Sequence, residues 1–296
     1  MRKYTIAQFN KDFPTDDACL EWLRNHLYPK LIDCPICGRP TKHHRIKTRK
    51  VYGCDNCGHQ ISPTAGTIFH KSPTPLKLWF HAIFLISSTR CGISAKQIER
   101  ETGVTYKTAW RMAKQIRQFL LTQTDKPLGG GNGVELDETY VGAKLSNMHK
   151  AKRDRINGRG TAGKFPIFGA VERKGEVLAL AVSNTDGETL TPHIQKHIIP
   201  TSTIYTDDMG AYKALADKGY KHLKINHIDK VYVNGNIHTN TIEGFWSLVK
   251  RGISGVYHAV SKKYLQEYVN EYTFRYNHRK DEKPMFLTVL GKVRTS

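Results

Sequence analysis

Long apolar runs are missing from this chain. The longest, Leu78 to Ile86, is interrupted by His81 and falls far short of the roughly 20 residues a membrane-spanning helix needs. The opening residues, Met1-Arg2-Lys3-Tyr4-Thr5-Ile6, lack the apolar core of an export signal. Acidic residues are also scarce: 26 Asp and Glu face 46 Lys and Arg across 296 residues, a formal net charge of +20. These shortages argue against a membrane protein and predict a soluble, cytoplasmic one whose field attracts polyanions, with nucleic-acid backbone as the expected partner. The length allows two or three units and a real hydrophobic core in the largest.

Cysteine is used sparingly, and four of the six residues are paired by spacing. Cys34-Pro35-Ile36-Cys37 and Cys54-Asp55-Asn56-Cys57 are two C-x-x-C pairs sixteen residues apart, the pattern of a four-thiolate zinc ribbon. Gly38 and Gly58 follow the pairs and permit the tight turns that let thiolates converge. Without an export signal disulfides are disfavoured, and a redox pair needs a βαβ setting, so structural Zn²⁺ is the expectation. Four thiolates complete a tetrahedron, which leaves His43 and His44 as exposed basic-loop residues and Cys19 and Cys91 as ordinary buried thiols.

A helical region follows. Thr74 reads as an N-cap with Pro75 at the first helical position, ahead of Leu76, Trp79, Ile83 and Ile86. Ser94 and Gln97 form a capping-box pattern for a short helix that Gly103 ends. On a third helix after Thr105, Trp110, Ala113, Ile116 or Arg117, and Leu120 trace one face, and Lys107, Arg111, Lys114 and Gln118 another. This is the pattern of a helix-turn-helix that presents Tyr106, Lys107 and Arg111, with Lys114 behind them, to the major groove. A small helical spacer with a solvated charged face is the competing reading.

The chemistry centres on Asp137, Asp207, Glu243 and Lys250. Val134 to Val141 reads as a strand after a glycine-rich segment, and Ser202 to Thr206 as a second strand running into Asp207. Ile242, Phe245, Trp246 and Val249 form an apolar helical stripe beside Glu243 and Lys250, which are seven residues, or two turns, apart. A phosphodiester is anionic and a poor electrophile, and its in-line displacement is served by two Mg²⁺ ions about 3.5–4 Å apart. Two or three convergent carboxylates suffice to hold such ions, and Mn²⁺ can substitute. Glu135, Glu138 and Asp208 are rivals for individual positions, Asp208 foremost.

The Leu136-Asp137-Glu138-Thr139-Tyr140 strand, the Tyr205-Thr206-Asp207 strand end and the run from His238 to Arg251 resemble DDE-type bacterial insertion-sequence transposases of the ISXO-like branch. The resemblance covers nearly the whole chain. It implies an α/β fold in which an RNase H-like catalytic domain follows a zinc ribbon and a helix-turn-helix. It also implies metal-dependent cleavage at element ends and strand transfer into target DNA, with Arg251 beside Lys250 on the phosphate. Members of this branch are often described with Asn as the third catalytic residue, so Asn240, one turn before Glu243, stays beside it as a candidate ligand. Terminal repeats and target DNA are the implied partners, bound by a homodimer or larger assembly in a bacterial cytoplasm. A DNA-binding regulator with an inactive catalytic domain, or an RNase H-like nuclease without strand transfer, are the alternative readings.

Domain boundaries are expected at 1–70 for the ribbon segment, 71–127 for the helix-turn-helix region and 128–296 for the catalytic domain, with a linker over Gln123 to Gly133. Lys144 to Lys164 carries seven Lys or Arg and reads as a mobile loop that grips DNA. Phe165 to Glu172 and Glu176 to Val182 read as a hairpin. Beyond them the expectations are a helix from Gly187 towards Ile199, a helix over Met209 to Lys218, a short strand around Leu223 to Ile225 and a last helix over Ser261 to Asn277.

Overall fold

The computed structural model describes residues 4–120, 127–143, 145–156, 160–224 and 238–294. Two compact units divide the chain, one formed by 1–119 with 281–296 and the other by 120–280.

The first unit begins with α1 (Ile6–Asp12), whose N-cap Thr5 and Gln8 form a capping box, and α2 (Asp16–Leu27), capped by Thr15. Short strands β1 (Ile32–Asp33) and β2 (Pro40–Thr41) pair antiparallel, and β3 (His43–Ile46), β4 (Val51–Cys54) and β5 (Gln60–Ile61) form a second small sheet. Three helices follow, α3 (Leu76–Ser88), α4 (Ala95–Thr102) and α5 (Tyr106–Phe119). Ser94 caps α4 by accepting from the Gln97 N–H, but the expected capping box is not closed, because the Gln97 side chain donates to Glu101 at 2.7 Å instead; Gly103 ends the helix in the left-handed region at φ 70°, as the sequence pattern requires.

Several local expectations need correction in this unit. Pro75, not Thr74, occupies the N-cap of α3 and supplies no side-chain cap; the Thr74 hydroxyl instead accepts from the Arg111 guanidinium at 3.2 Å. The inward face of α5 is Ala109, Met112, Ala113 and Ile116, leaving Trp110 half-buried, because the wide apolar stripe is centred one residue earlier than expected. Arg117 is buried and donates to the Ile93 carbonyl at 3.2 Å.

The second unit is built on a five-stranded mixed sheet. Its strands are β6 (Val134–Val141), β7 (Phe165–Glu172), β8 (Val177–Ala181), β9 (Thr203–Thr206) and β10 (Lys221–Lys224), in the spatial order β10-β9-β6-β7-β8. The first three form an antiparallel meander; β9 then runs parallel to β6, and β10 parallel to β9. A short α6 (Lys150–Arg153) lies between β6 and β7, and α7 (Gly187–His197) precedes β9. The expected Met209–Lys218 helix is a 3₁₀ helix over Gly210–Lys218. Helix α8 (Asn240–Gly252) runs into a π-turn over Ile253–Tyr257, and α9 (Leu265–Asn277) follows a 3₁₀ turn.

Strand alternation splits the apolar residues into two cores. Val134, Leu136, Phe168 and Ala170 face Leu190 and Ile194 of α7 and Tyr212 and Leu215 of the 3₁₀ helix. On the other face, Val141, Ile167 and Val171 meet Ile242, Phe245, Trp246 and Val249 of α8 and Leu265, Val269 and Tyr272 of α9. The aromatic stripe of α9 is thus core packing, as its spacing predicts. The last helix, α10 (Met285–Gly291), belongs to the first unit, where Phe286 packs edge-on to Phe9, Phe13 and Phe84. Residues 281–296, grouped by sequence with the catalytic half, therefore complete the N-terminal core, whose aromatic surface needs them.

Two segments expected to be irregular carry more structure. Leu128, in the linker, bridges Ile198: its N–H donates to the His197 carbonyl at 2.7 Å, and its carbonyl accepts from Ile199 at 2.8 Å. The basic Lys144–Lys164 segment contains a 3₁₀ turn at Leu145–Asn147 and the one-turn α6, while Lys144 and residues 157–159 lie outside the described residues, as do Ile225 and 121–126.

Candidate active site and zinc centre

Parallel pairing brings the two aspartates together. The register Val134↔Ile204 and Glu135↔Tyr205 runs the two strands side by side towards Asp137 in β6 and Asp207 just after β9, and the Asp207 charge acts on Asp137. Residues of the Asp137 parity face α8, and α8 packs on that face through Ile242 and Trp246, delivering Glu243 in its first turn. Gly169 sits opposite Asp137 on β7. A Cβ there would lie 2.4 Å from the Trp246 ring and 2.9 Å from Ile242, so only glycine lets α8 approach this closely.

The charges sense one another. Burial pushes Asp137 up to about 6; the Glu138 backbone N–H opposes this, and the negative charges of Asp207 and Glu243 raise it further, while the Trp246 indole favours the ionised form. Asp207 accepts from the Met209 N–H at 3.1 Å, and Glu243 from the Thr239 hydroxyl at 3.1 Å. Among the described residues no Lys or Arg ion-pairs with these three carboxylates, and the negative charges of Asp207 and Glu243 act on Asp137. They do not crowd onto one point: among the described residues, the group whose ligand atoms all fall within 4.8 Å of one another is the cysteine cluster.

The rival acids sit in different surroundings. Asp208 lies 3.9 Å from Lys224. Glu138, on the α7 face of β6, is pushed up to about 8, first by burial and then by the charges of Asp137 and Asp207. Glu135 is fully buried and ion-pairs with Arg173 at 2.8 Å, a role that its sequence setting did not signal. Asn240 is the exposed first residue of α8, while Lys250 and Arg251 are exposed in its last turn. Lys250 therefore shares the helix with Glu243 about 10 Å further along its axis.

In the first unit Cys34, Cys37, Cys54 and Cys57 converge. Cys34 and Cys57 sulfurs are 3.5 Å apart and those of Cys37 and Cys54 are 3.9 Å apart, close to the edge of about 3.8 Å in a tetrahedron of sulfurs 2.3 Å from zinc. Gly38 and Gly58, at φ 64° and 72°, close the two turns by donating to the Cys34 and Cys54 carbonyls at 2.9 Å. The donor set and its spacing fit a structural Zn²⁺, and Thr41 supports it with its hydroxyl 3.1 Å from the Cys54 sulfur. His43 is buried on β3 opposite Cys54 rather than exposed on a loop, because strand alternation turns it inward. His44 is exposed and lies 2.7 Å from Asp55; Cys19 is buried as expected, whereas Cys91 is exposed.

Of the residues expected to contact nucleic acid, Tyr106 and Lys107 are exposed at the start of α5. Lys114 is half-buried with its ammonium 5.8 Å from the Trp110 ring centre. Arg111 is tethered within the unit, donating to Thr74 and Ser72 and lying 5.8 Å over the Trp79 ring.

No helix among the described residues is long and apolar enough to cross a membrane. Comparison with known proteins places these features together. Residues 127–277 match the ISXO2-like transposase domain, and residues 14–60 match a transposase zinc-ribbon domain. The chain is 30% identical over 289 residues to an uncharacterized protein in transposable element ISH50 of Halobacterium salinarum, covering 92% of this chain and 93% of that one. It is 31% identical over 104 residues to an uncharacterized transposase-like protein of Haemophilus influenzae, 35% of this chain and 83% of that one. The family implies an RNase H-like fold for the mixed sheet described above. The chain belongs to the ISXO2-like transposases and carries their zinc ribbon.

Proposed function

We propose that this transposase cuts DNA at the ends of its element and joins the freed 3′-hydroxyl to target DNA, using Asp137, Asp207 and Glu243 to hold two Mg²⁺ ions. The observation that carries this reading is the shared field of three carboxylates from β6, β9 and α8 around a half-buried Asp137 with no cationic side chain paired to them among the described residues. Once bound, such ions activate the attacking oxygen and neutralise the leaving oxygen. The chain supplies the rest. Asp137 and Asp207 hold the centre from adjacent strands, Glu243 closes it from the helix, and Lys250 with Arg251 binds the phosphate backbone. Glu243 is preferred to Asn240 as the third ligand because its charge acts on Asp137 and a carboxylate is the stronger Mg²⁺ donor.

Recognition of terminal repeats is assigned to the zinc ribbon and to α4 and α5 as a helix-turn-helix, with Tyr106 and Lys107 reaching bases, Lys114 the backbone and Arg111 bracing α5 against Trp79. The expected domain organisation then reads as recognition elements ahead of a catalytic sheet, and paired ends call for a dimer or larger assembly on DNA. A labelled, precleaved element end, a target plasmid and Mg²⁺ test the reading. Strand-transfer product that Asp137→Asn abolishes supports it. Cleavage without joining would indicate a nuclease, and binding without either a regulator.

A further inference from the structure

Three elements carry the carboxylates, and one buried ion pair touches all three. Glu135, on β6 two residues before Asp137, is fully buried, yet every polar contact it makes is directed. One oxygen accepts from Arg173 Nε at 2.8 Å and the Thr241 hydroxyl at 2.9 Å; the other accepts from the backbone N–H groups of Thr241 and Ile242 at 2.8 and 3.1 Å. A carboxylate from the sheet thus satisfies the open N–H groups at the start of α8, two and one residues before Glu243. His238 Nδ1 lies 3.3 Å away.

Arg173 extends the connection. Its Nη2 donates to the His238 carbonyl at 2.7 Å, just ahead of α8, and its backbone N–H donates to Gly133 at the entry to β6. The guanidinium lies 3.8 Å over the ring of Tyr205, two residues before Asp207 on β9. Gly133, at φ 77°, leaves room for that ring, since a Cβ there would come within 2.5 Å of it. Planar stacking and a directed fork are properties of arginine that lysine lacks.

We propose that Glu135 and Arg173 are positioning residues which lock β6, β9 and α8 in the one register at which Asp137, Asp207 and Glu243 can share divalent cations. This rests on the carboxylate reading above. Each link lies two residues, or a single helical turn, from the acid it serves, so a slip at the bracket is passed to the ligands through backbone that has little freedom to absorb it. Removing such outer support typically costs about 10–100-fold in metal affinity or activity.

The test is a Mg²⁺ titration of strand transfer by the full-length protein, with thermal unfolding measured on each variant. Glu135→Gln and Arg173→Met should raise the Mg²⁺ concentration for half-maximal product about tenfold or more, and Arg173→Lys should fall between them and the parent. A purely structural role would lower the folded fraction and the product in proportion and leave the Mg²⁺ midpoint in place; that result overturns the proposal. If those variants do not fold, Tyr205→Leu keeps the ion pair and removes the stacking surface alone, and should shift the midpoint about threefold; an unmoved midpoint overturns the bracket. Asp137→Asn separates the two levels. Strand transfer that survives it sinks the carboxylate reading and the bracket together, whereas its loss beside an unshifted Glu135→Gln sinks the bracket alone.

Discussion

The thiolate centre and the carboxylate centre are assembled in opposite ways. Two tight turns, each closed by a glycine, bring four sulfurs within 4.8 Å of one another inside 24 residues, from Cys34 to Cys57. The carboxylates proposed to hold Mg²⁺ come from β6, the end of β9 and α8, spread from Asp137 to Glu243, and their placement depends on sheet register, on Gly169 and on the seating of α8. A locally built site needs its metal to hold a small fold together. A globally built one would inherit its geometry from a core that stands without the metal, as the proposed carboxylate site requires.

The sharpest way to break this comparison is to remove zinc. Structural Zn²⁺ contributes about 10–16 kcal/mol in small zinc-finger peptides, so chelation, or Cys34→Ser, should expose the amides of β1 to β5 to hydrogen exchange while β6 to β8 stay protected. Equal loss of protection in both regions would show that the carboxylate scaffold is not self-supporting.

Next in size, Asp137→Asn or Asp207→Asn should cost about a hundredfold or more in strand transfer, roughly 3 kcal/mol of transition-state stabilisation, with the circular dichroism spectrum unchanged. Either variant retaining parental activity would remove that residue from the active site. Gly169→Ala should then destabilise the protein by about 1–3 kcal/mol, because the new methyl group collides with Trp246 and Ile242; a thermal shift assay reads this, and an unchanged midpoint would mean that α8 can move without penalty.

The smallest effect concerns pH. Folding raises Asp137 from its ordinary 3.8 to about 6, so the folded state favours its protonated form. That contribution is fully present below about 3.8 and is lost as pH rises through about 6. Glu138, raised to about 8, acts in the same direction at higher pH. Mg²⁺ binds the ionised carboxylates, so the rise in Tm on adding it should be larger at pH 8 than at pH 5, by an amount on the order of 1–3 kcal/mol in stability. Equal increments at the two pH values would contradict cation binding at Asp137.

Much of this was legible without coordinates. The C-x-x-C spacing specified the thiolate cluster because its geometry is set within two short turns, and the apolar stripe of α8 specified its buried face because helical periodicity is local. Glu135 and Asp137 are both acidic residues on one strand and one face, and nothing in their spacing separates the carboxylate that caps α8 from the one proposed as a metal ligand. His43 was read as exposed because burial on a two-faced strand depends on what packs against it.

Local pattern alone determined the ribbon, the strand that carries Asp137, the strand that runs into Asp207 and the helix that bears Glu243, since each follows from residue periodicity and turn chemistry over a few positions. Tertiary structure alone decided which carboxylates act on one another, that Arg173 reaches the segments beside them, and that α10 completes the N-terminal core. Those outcomes depend on strand order, register and packing between residues far apart in the chain, for which a single sequence has no periodic signature.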